Sequence, residues 1–224
     1  MTRPLILICN DDGIASPGLA AAAAALAPLG DLLIVAPSEQ QSGMGRSFPK
    51  FNDGRLFPTT VCYDGQTWPG YGANASPAQA IDHAVLELAD RLPALAVSGI
   101  NFGENVSTSV TGSGTVGAAL EAAAFGIPAL AVSLETDPSL HYAYDDSVDF
   151  STAIAFTRLF AERWLHAERP PDVDVLKIDI PANATPQTPW QLARLERAQY
   201  FVPLPPQRRR LEDEGRIGYM FNTR

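Results

Sequence analysis

The sequence predicts an α/β fold: a three-layer parallel sheet with helices on both faces. Three observations predict it. First, Leu5-Ile6-Leu7-Ile8-Cys9 is apolar throughout and stops at Asn10-Asp11-Asp12-Gly13. A short run with no polar face fits a strand covered on both sides, and the residues after it are turn formers. Second, an Ala-rich helix leads to a second apolar run, Leu32-Leu33-Ile34-Val35-Ala36. Strand, helix, strand in that order is a parallel βαβ unit. Third, the alternation recurs at Leu95-Ala96-Val97-Ser98, a helix from Gly112 through Phe125, and a fourth strand over 129–134.

Each element has its own warrant. Ser16 suits the cap of the first helix and Pro17 its first turn; Pro28 and Gly30 then cut the Ala run short. Pro37 ends the second strand. Residues 38–47 are polar and Gly-rich, and they leave the carboxyl end of that strand, so they belong beside the Asp pair. From about Phe48 to Gly72, Gly, Pro, aromatics and short alternations read as a β-rich excursion. Ser76-Pro77 repeats the cap signal, and Ala80, Ile81, Ala84, Val85 and Leu88 keep a helical period until near Pro93. The third strand, Leu95 to Ser98, runs into a polar loop over 99–105. Gly126 and Pro128 close the helix that starts at Gly112. An amphipathic helix fits 147–164, with Ile154, Phe156, Leu159 and Phe160 toward its apolar face, and a last strand fits 173–180, stopped by Pro181. The remainder, rich in Pro, Gln and Arg, reads as an extended arm or hairpin. The expected division is a core over 1–181 and a C-terminal arm over 182–224 that serves oligomer contacts.

Composition narrows the function. The 224 residues suffice for one good core, and 46% hydrophobic with 18% charged residues is a globular balance. A formal net charge of -9 argues against a nucleic-acid polymer or an anionic membrane as partner. Cys9 and Cys62 make no disulfide framework, so reduced thiols in the cytoplasm are expected. No signal peptide or membrane span is read at the N-terminus.

The strand-end loops carry the chemistry. Alone, Asp11 and Asp12 serve equally well as a turn with a helix cap or as ligands of a hard divalent cation. Ser42 and Asn101, from the loops after the second and third strands, add two neutral oxygens at the same sheet edge; alone, each is better read as a loop hydrogen bonder. Ser113-Gly114-Thr115 opens a helix, where free amides and the dipole favour an anion, and the spacing of Gly112, Gly114 and Gly117 favours close approach to a ligand. The Lys-Ser/Thr ending of a nucleotide-triphosphatase phosphate loop is absent. The His residues do not cluster: His83 reads as a packing or surface residue, His141 as a loop residue and His166 as helix surface. Arg208-Arg209-Arg210 lies beside Glu212-Asp213-Glu214 and reads as a self-paired surface.

In Asn10-Asp11-Asp12-Gly13, Gln41-Ser42-Gly43, Val97-Ser98-Gly99-Ile100-Asn101-Phe102-Gly103-Glu104-Asn105, Ser113-Gly114-Thr115-Val116-Gly117-Ala118-Ala119-Leu120-Glu121 and Gly126-Ile127-Pro128-Ala129, the chain resembles the SurE (survival protein E) family of metal-dependent nucleoside monophosphate phosphatases. The resemblance implies a Rossmann-like core and one divalent ion per subunit, Mg²⁺ or Mn²⁺, held by Asp11, Asp12, Ser42 and Asn101. It implies substrate contacts from Asn101, Ser113, Gly114 and Thr115, and a homodimer or tetramer. The expected reaction is metal-assisted hydrolysis of a nucleoside monophosphate, with Asp11 and Asp12 as the catalytic pair and Asp11 orienting or deprotonating water. Rival readings are a non-catalytic metal- and nucleotide-binding relative, a phosphatase for other small phosphomonoesters or polyphosphate, and a dinucleotide oxidoreductase. The last is disfavoured by the missing Gly-x-Gly-x-x-Gly turn. Two departures from the family pattern stand out. Ala75-Ser76-Pro77-Ala78-Gln79-Ala80 replaces Gly-Thr-Pro-x-Asp-Cys, and Ser107, Ser109 and Gly112 replace other residues before the Ser-Gly-Thr.

Overall fold

The apolar run at the start of the chain becomes the middle of the sheet. In a computed structural model, described here over residues 2–141, 148–166 and 169–222, the strands of the main sheet are β1 (Leu5–Cys9), β2 (Asp31–Pro37), β3 (Leu56–Tyr63), β4 (Gln66–Ala73), β5 (Leu95–Phe102), β6 (Ala129–Leu134) and β7 (Val175–Ile180). Their spatial order is β3-β4-β2-β1-β5-β6-β7. Every neighbouring pair is parallel except β3 with β4.

Two helical layers cover it: α1 (Pro17–Leu26) with α4 (Ser151–His166), and α2 (Pro77–His83) with α3 (Gly114–Ala124). Strand periodicity divides the core between them. Ile6 and Ile8 face α1 and α4, whereas Leu7 and Cys9 face α2 and α3. Ile6, Leu7 and Ile8 are fully buried, and each contributes ~2–3 kcal/mol by leaving water. The Ala run packs α1 tightly, since Ala21, Ala22, Ala23 and Ala25 are wholly buried.

Four expectations are sharpened or corrected. The β-rich excursion forms two strands that join the main sheet. Asp64 and Gly65 both take positive φ (45° and 74°), which suits a tight hairpin between β3 and β4. β4 then pairs with β2 from Ile34↔Gly70 to Pro37↔Ala73 and extends the sheet. β3 is the edge strand, where Pro58 costs no ladder bond on the open side. Second, the third core strand does not stop at Ser98. Between Ser98↔Ala131 and Asn101↔Ser133 it carries an extra residue, a bulge, and continues to Phe102. Gly99 sits there at φ 130°, where a Cβ would lie 2.3 Å from the Val132 carbonyl oxygen. Third, the helix after Ser76 is α-helical only to His83 and ends in a wider π turn, Ala84–Leu88. Fourth, the amphipathic helix starts at Ser151, where Asp149 accepts from the Ser151 N–H at 2.8 Å; the expected start at Ser147 lies outside the described residues.

The C-terminal stretch forms a separate antiparallel hairpin, β8 (Phe201–Leu204) with β9 (Gly218–Phe221). Tyr200, Phe201, Tyr219 and Phe221 hold it with edge-on ring contacts. The segment before it packs Trp190 edge-on against Phe160 of α4 at 5.6 Å, with Arg163 over the same indole.

Candidate active site

The chain turns to opposite sides of β1 when it adds β2 and then β5. Ligands of open α/β sheets bind at such a switch point, beyond the carboxyl ends of the strands. Asp11 and Asp12 follow β1 there, and the β5 bulge brings Asn101 and Phe102 to the same edge.

The turn is built locally. Asn10 is fully buried, and its amide closes on Gly13, accepting the Gly13 N–H at 3.0 Å. Gly13 has φ 100°, which a glycine adopts without strain. Asp11 then meets the start of α3. The Thr115 hydroxyl lies 2.5 Å from Asp11 Oδ1 and 3.1 Å from Asn101 Oδ1. Asp12 turns toward β5: its Oδ2 accepts the Phe102 N–H at 3.1 Å and its Oδ1 accepts from Gln40 Nε2 at 3.2 Å. Gln40 also donates to the His141 carbonyl at 2.7 Å. Asn101 is oriented by Nδ2 donating to the Gly103 carbonyl at 2.6 Å.

Electrostatics set the character of the site. Asp11 and Asp12 are 5% and 3% exposed, and burial raises both carboxyl pKa values. At Asp12 the neighbouring Asp11 charge raises it further. At Asp11 the Thr115 hydroxyl and the Thr115 and Gly114 amides oppose the rise, because they favour the anion at a helix start. Two adjacent carboxylates at low exposure are a poor arrangement alone and a good one around a cation. The side chains of Asp11, Asp12, Asn101 and Ser42 offer only hard oxygens, a donor set that fits a hard divalent cation. Among the described residues no group of three or more His, Cys, Asp or Glu side chains gathers for a metal. A cation held here would complete its shell with neutral oxygens, water and substrate.

A cavity of about 420 Å³ opens over these groups. Asp11, Ser42, Asn101 and Ser113 line one part of it, and Thr108, Ser109, Phe201 and Tyr219 another. Of the expected residues, Asp11, Ser42, Asn101 and Ser113 line the cavity, whereas Asp12, turned to the Phe102 N–H and Gln40, does not. Ser42 is exposed on the loop after β2 and lines the cavity. Ser113 lines it while capping α3, its Oγ accepting the Val116 N–H at 3.2 Å. Gly114 and Thr115 lie behind Asp11: a Cβ on Gly114 would sit 2.6 Å from Asp11 Cβ, and Thr115 is fully buried. The glycine spacing has an internal cause as well. At Gly117 a Cβ would meet the Gly45 carbonyl oxygen at 2.2 Å, so the close approach there is to backbone, whereas Gly112 faces open space.

That Gly45 contact is part of a clamp. The Gly45 N–H donates to the Gly112 carbonyl at 3.0 Å, and Arg46 Nε pairs with the buried Glu121 of α3 at 2.5 Å. The clamp fixes the loop that carries Ser42.

A family model described as Survival protein SurE matches residues 6–201. The chain belongs to the SurE family. It is 43% identical over 197 residues to the 5′-nucleotidase SurE of Methanothrix thermoacetophila, covering 86% of this chain and 73% of that one. It is 39% identical over 218 residues to the 5′-nucleotidase SurE of Methanothermobacter thermautotrophicus, covering 96% and 80%. The crystal structure of the SurE protein from Aquifex aeolicus superposes with a TM-score of 0.73 at 26% identity, over 98% of this chain and 82% of that chain.

Against the SurE pattern, the departure at Gln79 has a structural role. Gln79 completes a capping box with Ser76 and accepts from Asn52 Nδ2 at 2.8 Å, tying down the loop before β3. Sequence reasoning missed Gln40, Glu104, His141, Phe201 and Tyr219. Gln40, three residues past the end of β2, lies in the polar loop expected beside the Asp pair, and that placement was its signal. His141 lies far from the other motifs in sequence, and the structure places it on the cavity wall against Gly103.

Proposed function

We propose that this SurE-family chain is a divalent-metal-dependent phosphomonoesterase that releases phosphate from nucleoside monophosphates, of 5′-nucleotidase type. The observation that carries the reading is the buried Asp11 carboxylate, held by Thr115 and the α3 amides at a cavity shared with Asn101, Ser42 and Ser113. The 5′-nucleotidase relatives agree with it.

In this reading Asp11, Asp12, Ser42 and Asn101 hold one divalent ion, Mg²⁺ or Mn²⁺. When bound, that ion supplies Lewis acidity at the phosphoryl group and lowers the pKa of the attacking water. The chain does the rest. Asp11 orients the water and takes its proton as the oxygen attacks phosphorus. Asp12, braced by the Phe102 amide and Gln40, supplies the second negative charge. Asn101 and Ser113, which line the cavity, steady the non-bridging oxygens as charge builds on them. The ester P–O bond breaks, the nucleoside oxygen takes up the proton that Asp11 removed from water, and inorganic phosphate is left with Asp11 again ionised.

Exposed apolar side chains concentrate in the arm, with Leu192, Leu211 and Ile217 being 85%, 79% and 69% exposed. They support a homodimer or tetramer built through residues 182–224. Among the described residues no helix is long and apolar enough to cross a membrane. Free Cys9 and exposed Cys62 support a reducing, cytoplasmic setting.

The test is phosphate release from AMP with and without Mg²⁺ or Mn²⁺. Metal-dependent release that Asp11→Asn abolishes is the expected outcome; release that survives both chelation and the substitution removes the reading.

A further inference from the structure

The cavity has two chemically different parts. One is the oxygen-rich group around Asp11. The other is aromatic: Phe201 of β8 and Tyr219 of β9 line the same cavity, although they lie in a hairpin outside the main sheet. Proposed phosphate chemistry alone gives these rings no role. A hydrophilic phosphoryl group gains nothing from an aromatic wall, so the wall fits a part of the substrate remote from the reacting bond.

The hairpin is fixed in a way that presents the pair. Phe201 and Tyr219 stand edge-to-face with centroids 5.3 Å apart and an angle of 88°. Tyr200 and Phe221 brace Phe201 at 4.9 and 5.4 Å. On the core side the Ser107 hydroxyl donates to the Ala198 carbonyl, just before β8. Glu104, which itself lines the cavity, lies beside the Tyr200 phenol; burial and then this carboxylate raise the phenol pKa. The ring pair is therefore braced within the hairpin, and the hairpin is tied to the loops that frame the Asp11 end. Beside the rings the wall carries the neutral side chains of Thr108 and Ser109. Those groups can hydrogen-bond a sugar or base edge without imposing a charge. The cavity volume falls within the range of small-molecule sites.

We propose that Phe201 and Tyr219 form a nucleobase subsite, which makes this site select nucleotides over phosphomonoesters that lack a base. The inference rests on the phosphomonoesterase reading above and adds the specificity to it. Stacking uses the π face that every base has, so the subsite tolerates any base and discriminates against its absence.

The experiment compares AMP with ribose 5-phosphate for the full-length wild type, Phe201→Leu and Tyr219→Leu, all with the same metal. Leucine keeps apolar bulk in the hairpin and removes the ring. The ratio of kcat/KM for AMP to that for ribose 5-phosphate should fall about tenfold in each variant, carried by KM for AMP. An unchanged ratio overturns the proposal, whether both activities persist or both fall together. Adenosine binding, read by calorimetry, supplies a measurement independent of turnover. Wild type should bind adenosine, and each variant should bind it about tenfold more weakly. Equal adenosine affinity in all three proteins also overturns the subsite. If the wild type released phosphate from neither compound, the phosphomonoesterase reading would fail, while adenosine binding would still decide the ring pair.

Discussion

Thr115 Oγ1 lies 2.5 Å from Asp11 Oδ1 and 3.1 Å from Asn101 Oδ1, so one hydroxyl at the start of α3 sits between the ends of β1 and β5. A hydroxyl has a single proton, and the shorter contact assigns it to Asp11. Thr115 is therefore a positioning residue. Thr115→Val keeps the shape and removes the proton. It should lower kcat/KM for AMP by about 10- to 100-fold, the usual cost of losing a partner behind a ligand or base. The metal titration midpoint should move to higher concentration as well. Thr115→Ser, which keeps the hydroxyl, should recover most of both.

Asp11 itself carries the larger effect. Asp11→Asn is nearly isosteric but removes the base and half of the paired charge. Metal-dependent phosphate release should fall by about 10³-fold or more, with little change in thermal stability, because burying the charge already works against folding. Steady-state kinetics beside a melting curve checks both halves of the statement.

Gly114 is needed for space. A Cβ there would lie 2.6 Å from Asp11 Cβ and 2.8 Å from Asp11 Oδ2. Ala would ordinarily favour a helix, yet Gly114→Ala should displace Asp11 and reduce kcat by about 100-fold, the usual effect of a misplacement of about 1 Å. A crystal structure of the variant with an unmoved Asp11 would contradict this account.

The Arg46–Glu121 pair should matter for both stability and site geometry. Glu121 is 6% exposed, whereas the Arg46 side chain is about half exposed. Arg46→Met strands the carboxylate beside Asp82. The cost should be about 1–2 kcal/mol, below that of a fully buried pair because solvent screens Arg46. Adding Glu121→Gln to the same chain should recover part of it. Urea titration of the four proteins in the cycle measures the coupling.

Asp82 gives a pH signature. Burial, and then the Glu121 charge across the α2–α3 interface, raise its carboxyl to about 6. The folded protein holds this proton at a pH where the unfolded chain releases it. The stability it brings is full below the ordinary carboxyl range and is lost as pH rises through about 6. Asp82→Asn should therefore raise Tm by about 2 °C at pH 8 and leave it nearly unchanged at pH 4. Equal shifts at both pH values would show that the charge is not the cause.

The core and much of the site were legible in the chain, because local patterns encode them. Unbroken apolar runs specified β1, β2 and β6. The cap-plus-Pro signals placed α1 and α2, and Asn-Asp-Asp-Gly marked the strand end that carries carboxylates. The β-rich excursion was legible as strands but not as part of the sheet, since β4 pairs with β2, far from it in sequence. Strand pairing over such a separation leaves no periodicity to read. The β5 bulge was hidden for the same reason: Gly99 and Asn101 gain their geometry only against β6.

By itself the sequence determined the layered α/β architecture and named Asp11, Asp12, Ser42, Asn101 and Ser113-Gly114-Thr115 as residues at one sheet edge. These follow from side-chain periodicity and turn chemistry, which act over a few residues. Tertiary structure alone decided which of them face the cavity and which stand behind it. It turned Thr115 inward onto Asp11, gave Gly114 and Gly117 their packing roles, and brought His141, Phe201 and Tyr219 to the wall. Those assignments depend on contacts between segments some hundred residues apart, as Thr115 to Asp11 is at a separation of 104. Such contacts exist only once the apolar runs have folded into one sheet.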